Sequence, residues 1–253
     1  MKSLLLDVGN SRLKWGIAEH GAIHRTGHIT QEKIRDCGLQ VLTTRLPRRV
    51  DRVLASNVAG TSFATRLSGL VSAHCNCDVH FAKTEKQAFG ISNGYKQPRR
   101  LGVDRWVAMI GAYAEFGAAC LVVDAGTAVT IDAFDDGGAH LGGQILPGAS
   151  LMANALSSST SDIPKIGKAG ARSRVALDMF AEDTANAVRE GALNAVTGAV
   201  ERSIRVLRSN AYDPVLVLTG GDASRILSAL DEHAEHRPNL VLQGLMHMLE
   251  RGR

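Results

Sequence analysis

Aromatic residues make up only 4% of the chain, which leaves few rings on which nucleic-acid bases could stack. No stretch approaches the roughly 18 consecutive apolar residues of a membrane-spanning helix. The opening run Leu4-Leu5-Leu6 begins like the apolar core of a signal peptide, but Asp7 stops it at once. The four cysteines, Cys37, Cys75, Cys77 and Cys120, lack the spacing of a disulfide framework and read as reduced thiols, so a cytoplasmic protein is expected. Charge of one sign is not concentrated either. Lys plus Arg total 29 against 25 Asp plus Glu, a net +4 spread along the chain, so neither a membrane nor a nucleic acid is expected as partner. The run Arg45, Arg48, Arg49, Arg52 reads as a solvated basic face. No GxxxxGK[ST] loop is present. What is there is a 45% hydrophobic fraction in 253 residues, enough for one large core or two modest ones.

The most informative feature is an internal echo. Leu4-Leu5-Leu6-Asp7-Val8-Gly9-Asn10-Ser11 resembles Leu121-Val122-Val123-Asp124-Ala125-Gly126-Thr127-Ala128, and Asp7 and Asp124 stand 117 positions apart. The same spacing carries Gly21-Ala22 onto Gly138-Ala139. Each copy reads as a buried strand, a turn with Gly at its centre, and a second strand (Leu13 to Ala18, Val129 to Phe134). Duplication is the better explanation. Further strands are expected over Val50 to Ala55, Val79 to Ala82 and Pro214 to Leu218. Helices are expected over Ser62 to Ala73, Gly102 to Phe116, Ser150 to Leu156 and Thr184 to Ser209, with a polar loop from Ser157 to Asp162. Alternating elements of this kind predict an α/β protein, with domains at 1–117 and 118–253.

Three segments can carry chemistry. In Asp7-Val8-Gly9-Asn10-Ser11-Arg12-Leu13-Lys14, the central Gly lets main-chain N–H groups approach anionic oxygens, and Lys14 adds a charge. An ordinary hairpin with an Asx turn accounts for the same residues. Two copies favour phosphate binding, because two facing hairpins could hold the β- and γ-phosphates of one nucleotide. In Gly102-Val103-Asp104-Arg105-Trp106, Asp104 could act as a general base and Arg105 could fix an anionic substrate; an N-cap Asp beside a surface Arg is the plainer alternative. Thr219-Gly220-Gly221-Asp222-Ala223 follows a strand as a nucleotide-contacting turn or a plain strand-to-helix connection. His74-Cys75-Asn76-Cys77-Asp78-Val79-His80 lacks the paired spacing of a zinc site, and His233, His236 and His247 have no companion carboxylate in register.

Taken in order, Asp-Val-Gly-Asn-Ser, Tyr95 and Pro98 with Leu-Gly-Val-Asp-Arg-Trp, Asp-Ala-Gly-Thr-Ala, Gly-Gly-Gln-Ile-Leu-Pro-Gly and Thr-Gly-Gly-Asp-Ala resemble a type III pantothenate kinase from Leu4 to about Gly244. The resemblance implies duplicated ribonuclease H-like domains of the acetate and sugar kinase/heat-shock protein 70/actin superfamily. It implies phosphorylation of pantothenate by ATP to 4′-phosphopantothenate, the first step of coenzyme A biosynthesis. It assigns Asp7, Val8, Gly9, Asn10, Ser11, Arg12, Leu13, Lys14 and Thr127 to ATP. Tyr95, Gly102, Val103, Asp104, Arg105 and Thr184 go to pantothenate, with Asp104 as proton acceptor. Asp124 becomes ligand to a monovalent cation, K⁺ or NH₄⁺, and Mg²⁺ accompanies ATP. Thr184 would come from the other subunit of a homodimer; the family usually has Asn before it, and here Asp183 stands there. Two other functions remain beside this one: a non-enzymatic accessory factor in transcription, and a kinase of the same superfamily with another small acceptor.

Overall fold

The computed structural model describes residues 1–159, 163 and 180–252. They form two compact units: Met1–Gly117 with Asp136–His140 and Asn239–Arg253, and Ala118–Asp135 with Leu141–Pro238.

In the first unit, β1 (Lys2–Val8), β2 (Arg12–Glu19) and β3 (Ala22–Thr30) run as an antiparallel meander into α1 (Gln31–Cys37). Next come β4 (Arg52–Asn57), α2 (Thr61–Cys75) and β5 (Val79–Phe81). The sheet order is β3-β2-β1-β4-β5, with β4 parallel to β1 and β5 parallel to β4. Leu4, Leu5 and Leu6 are all fully buried, as a central strand covered on both faces requires. Leu4 and Leu6 pack with Ile34 of α1 and with Phe63, Leu67 and Val71 of α2. A small hairpin, β6 (Gln87–Ala88) and β7 (Ile91–Ser92), leads toward α3 (Val103–Phe116).

The second unit repeats the plan. It contains β8 (Cys120–Ala125), β9 (Ala128–Phe134), β10 (His140–Pro147, all but its first residue), α4 (Ala149–Ser159), α5 (Thr184–Ser209), β11 (Val215–Thr219), α6 (Ala223–Leu227) and β12 (Glu235–His236). Its order, β10-β9-β8-β11-β12, matches that of the first sheet, with β9 antiparallel to β8, β11 parallel to β8 and β12 parallel to β11. Leu121, Val123 and Ile131 pack against Leu193, Val196 and Val200 of α5. The last helix, α7 (Leu240–Arg251), belongs to the first unit, where it packs on α3 and lays Leu242 over Gly16. Serines 157–159 close α4 rather than opening a loop, and residues 160–162 of the expected loop lie outside the described residues.

The strand registers correct the echo in one respect. Val8 lies opposite Leu13, with Gly9 to Arg12 between them, whereas Ala125 lies opposite Val129, with only Gly126 to Ala128 between. The second turn is one residue tighter. Each is closed by its glycine N–H at 3.0 Å, to the Arg12 carbonyl in the first and the Ala128 carbonyl in the second. Beyond the turn the equal spacing therefore slips: Lys14 stands opposite Asp7, but Thr130 stands opposite Asp124. The topology is duplicated and the cation is not.

Candidate active site

The first turn is anchored at both ends by the core. Val8 and Leu13 are fully buried, so they can offer a ligand only their main chain, while Asn10, Ser11 and Arg12 are exposed. Gln31, the first residue of α1, clamps the turn from behind. Its main-chain N–H donates to the Ser11 carbonyl at 2.8 Å and its side chain donates to the Gly9 carbonyl at 2.9 Å. Both bonds turn carbonyls inward, which leaves the outer side of the turn to its N–H groups and polar side chains. No local pattern in the sequence pointed to Gln31, because its partner lies 22 positions away.

Around the second turn, three motifs that are far apart in the chain converge. The Gly148 N–H donates to the Thr127 carbonyl at 2.8 Å, and a Cβ on Gly148 would lie 2.3 Å from the Gly126 carbonyl oxygen. Gly220, with φ of +97°, presses on the other side: a Cβ there would lie 2.3 Å from the Ala125 carbonyl oxygen and 2.5 Å from Asp124 Oδ1. The Asp222 N–H closes this contact on the Ala125 carbonyl at 2.9 Å. Gly220 thus lets its strand end pack directly against a carboxylate oxygen and a carbonyl oxygen. Such hard donors suit K⁺ or Mg²⁺ and would not hold a thiophilic metal. Thr127 is exposed on the same turn.

The third cluster gathers at the start of α3. Gly102 is the N-cap and Asp104 sits in the first turn, its Oδ1 accepting the Arg105 N–H at 2.8 Å. Asp104 is therefore not the cap, and Arg105 is not a surface residue, being only 6% exposed. The Arg105 guanidinium donates to the Tyr95 hydroxyl at 2.9 Å and lies 5.6 Å from the centre of its ring. Tyr95 in turn stacks on His140 with ring centres 5.8 Å apart, and its N–H is held by Asn93 Oδ1 at 2.9 Å. His140 and Asn93 were not among the sequence candidates. Tyr95, Gly102, Val103, Asp104 and Arg105 thus form one connected group in the first unit.

Thr184 begins α5 in the second unit, next to a hollow of about 690 Å³ lined by Met152, Leu156 and Val188. Asp183 is its N-cap, accepting the Asn186 N–H at 2.9 Å. That bond holds the Asp183 carboxyl below the ordinary carboxylate range. Asp and Asn cap helices about equally well, so the departure from the family pattern keeps the local geometry. Elsewhere, His74 bonds the Leu46 carbonyl, and Cys75 donates to the Pro47 carbonyl with its thiol pushed up by burial. Among the described residues no group of three or more His, Cys, Asp or Glu could hold a metal ion. Two sequence readings are corrected. Arg52 is not part of a solvated face, since it donates to the Leu249 carbonyl of α7 at 3.0 Å. His233 does have a companion carboxylate, Glu235, at 3.4 Å.

Known proteins are similar to this chain. The family model for type III pantothenate kinase matches residues 3–206. A type III pantothenate kinase from Azoarcus sp. strain BH72 is 37% identical, over 96% of this chain and 88% of that protein. One from Methylobacillus flagellatus is 36% identical over 98% of each. Among solved structures, a Baf family transcriptional activator from Campylobacter jejuni is similar with a TM-score of 0.60 at 21% identity, covering 98% of both chains. A 2-dehydro-3-deoxygalactonokinase from Sinorhizobium meliloti is similar with a TM-score of 0.62 at 13% identity, over 99% of this chain and 100% of that one. These two speak to the fold alone, which is a duplicated ribonuclease H-like fold with one five-stranded sheet in each unit. With the family model spanning most of its length and relatives above one third identity across it, this chain belongs to the type III pantothenate kinase family.

Proposed function

We infer that the chain transfers the γ-phosphoryl group of ATP to pantothenate, giving 4′-phosphopantothenate for coenzyme A biosynthesis. The observation that carries this reading is the family match over residues 3–206, joined by the Tyr95–Arg105–Asp104 cluster at the start of α3. Asp104 receives the proton of the primary hydroxyl as its oxygen bonds to the γ-phosphorus and the bond from phosphorus to the ADP oxygen breaks. Arg105, buried and aimed by Tyr95, fixes the acceptor, and Gly102 and Val103 shape the pocket beside it. Residues Asp7 through Lys14 and Thr127 bind ATP through turn N–H groups, hydroxyls and the Lys14 ammonium. A divalent cation such as Mg²⁺ accompanies ATP and offsets the charge of its phosphates. Asp124, against which Gly220 packs closely, holds a monovalent cation, K⁺ or NH₄⁺.

The working form is a homodimer in which Thr184 completes the partner's acceptor pocket. Exposed apolar side chains in the second unit support it: Ile145 of β10 is 64% exposed, and Leu141, Leu151 and Leu156 are also exposed. No described helix is long and apolar enough to cross a membrane; we place the enzyme in the cytoplasm. The test is a phosphorylation assay with ATP, offering pantothenate, a sugar and a short acyl acid, each with and without potassium. Potassium-stimulated turnover of pantothenate is expected. Turnover of none of the three would overturn the kinase reading.

A further inference from the structure

We propose that Ser56 is a positioning residue for the phosphoryl transfer, its buried hydroxyl steadying the Asp7 carboxylate once ATP has engaged Lys14. The proposal rests on the kinase reading above. Ser56 is the penultimate residue of β4, and the register places it level with Asp7 on the parallel strand β1. Alternation settles which face they share. Leu4, Leu6 and Val8 of β1 and Val53 and Ala55 of β4 lie in the core with Ile34 of α1 and Phe63 of α2. Asp7 and Ser56 therefore point to the opposite face, on which α3 and α7 pack. Lys14, opposite Asp7 on β2, lies on that face too. The row Lys14, Asp7, Ser56 thus crosses three neighbouring strands, roughly 5 Å apart, just before the first phosphate turn.

Ser56 is 0% exposed, and its Oγ has no hydrogen-bond partner among the described residues. Asp7 and Lys14 are only half-buried, so they can meet a ligand directly. An unpaired hydroxyl in a closed interior costs stability, and alanine would fill the same place without that cost. Folding therefore does not account for it. The second unit repeats the pairing. Thr219, 1% exposed, stands level with Asp124 on parallel strands, on the face away from Leu121, Val123, Leu216 and Leu218. Lys14 has no counterpart there, since Thr130 stands opposite Asp124. Each strand-end carboxylate thus has a buried hydroxyl beside it, whereas only the first has a cation.

The hydroxyl has a use during the reaction. When the Lys14 ammonium turns to the phosphates of ATP, Asp7 needs another donor to keep a single orientation. Rotation about χ1 can bring the Ser56 hydroxyl to the carboxylate without moving the backbone. A carboxylate is a hard oxygen donor, as Mg²⁺ requires beside phosphate oxygens and water. Held on one side by Ser56, Asp7 presents its other oxygen toward the phosphates in a fixed direction.

The experiment compares wild type with Ser56→Ala and Ser56→Thr, the second copying the hydroxyl residue of the other unit. Melting is followed without nucleotide, with ATP and EDTA, and with ATP and Mg²⁺. Steady-state kinetics with pantothenate are run at rising Mg²⁺. Without nucleotide, Ser56→Ala should melt no more than about 2 °C below wild type, or above it, because the lost hydroxyl had no partner. Its kcat should fall about tenfold, the loss of one hydrogen bond to a charged group, and half-maximal activity should need several-fold more Mg²⁺. KM for pantothenate should stay within about twofold. The rise in melting temperature that Mg²⁺ adds to that of ATP should shrink in Ser56→Ala and return in Ser56→Thr. Wild-type kcat and Mg²⁺ requirement in Ser56→Ala overturn the proposal. A larger fall in its melting temperature without nucleotide does so too, by making the hydroxyl structural. Both results leave the kinase reading intact, whereas wild type that does not phosphorylate pantothenate removes both.

Discussion

At the scale of single residues, Asp104 carries the sharpest expectation. Asp104→Asn keeps the size and one acceptor oxygen but cannot take a proton, so kcat should fall by about 10²–10⁴ while pantothenate still binds. Isothermal titration beside steady-state kinetics would separate the two effects, and a variant with most of its turnover would remove Asp104 from the proton transfer. Gly220 is the second test. A methyl group there would meet both the Ala125 carbonyl and Asp124 Oδ1 at under 3 Å, in a backbone conformation that L-residues avoid. Gly220→Ala should therefore lose potassium activation along with most turnover. A potassium titration that matches wild type would show that Asp124 is not at the cation site. Asp124 itself was legible because it ends an apolar strand in both copies. Gly220, Gly148 and Gln31 were not legible as its and the first turn's supports, because what matters about them is the backbone they touch.

Elements show where local rules sufficed. The α5 boundaries, Thr184 to Ser209, follow from unbroken helical periodicity, and the structure agrees at both ends. The edge strands β3 and β10 went unread, since most of their side chains are exposed and no apolar alternation marks them. At the start of α5, the depressed pKa of Asp183 makes a pH prediction with a definite sign. Its capping contribution is present above the ordinary carboxylate value and disappears as pH falls through the lowered folded value. Asp183→Ala should lower the melting temperature near neutral pH, by an amount that shrinks as the solution is acidified below the ordinary carboxylate value. Asp183→Asn should keep the cap and lose that acid-side dependence. In the first unit, Gln31→Leu removes the bond to the Gly9 carbonyl, so KM for ATP should rise several-fold with kcat for pantothenate little changed. A KM for ATP equal to wild type would make Gln31 a helix residue only.

For the whole molecule, the shared acceptor pocket is the claim to test. Asp104→Asn and Thr184→Val homodimers should both be weak. If each pocket takes Asp104 from one subunit and Thr184 from the other, subunit exchange between them yields one pocket with both lesions and one intact. An equimolar mixture, about half of it heterodimer with one working pocket in two, should then recover toward about a quarter of wild-type activity. Exchange confirmed by mass spectrometry without recovery would mean that each chain builds its pocket alone.

Sequence alone determined the duplicated α/β plan, because the two Leu/Val-rich strands ending in Asp and Gly repeat with their turn chemistry intact, and burial demands that pattern wherever it recurs. It also determined the family, through short motifs kept in order along nearly the whole chain. Tertiary structure decided what those motifs touch. The one-residue slip of the second turn, which puts Thr130 rather than a cation opposite Asp124, is a matter of strand register. The placement of α7 with the first unit is a matter of helix packing, which no neighbour in sequence announces. Arg105 became a buried, aimed guanidinium only when Tyr95 and His140 stacked beside it. Periodicity and turn chemistry act between residues a few positions apart, whereas close backbone approach, ring stacking and register are settled by segments that meet only in the folded chain.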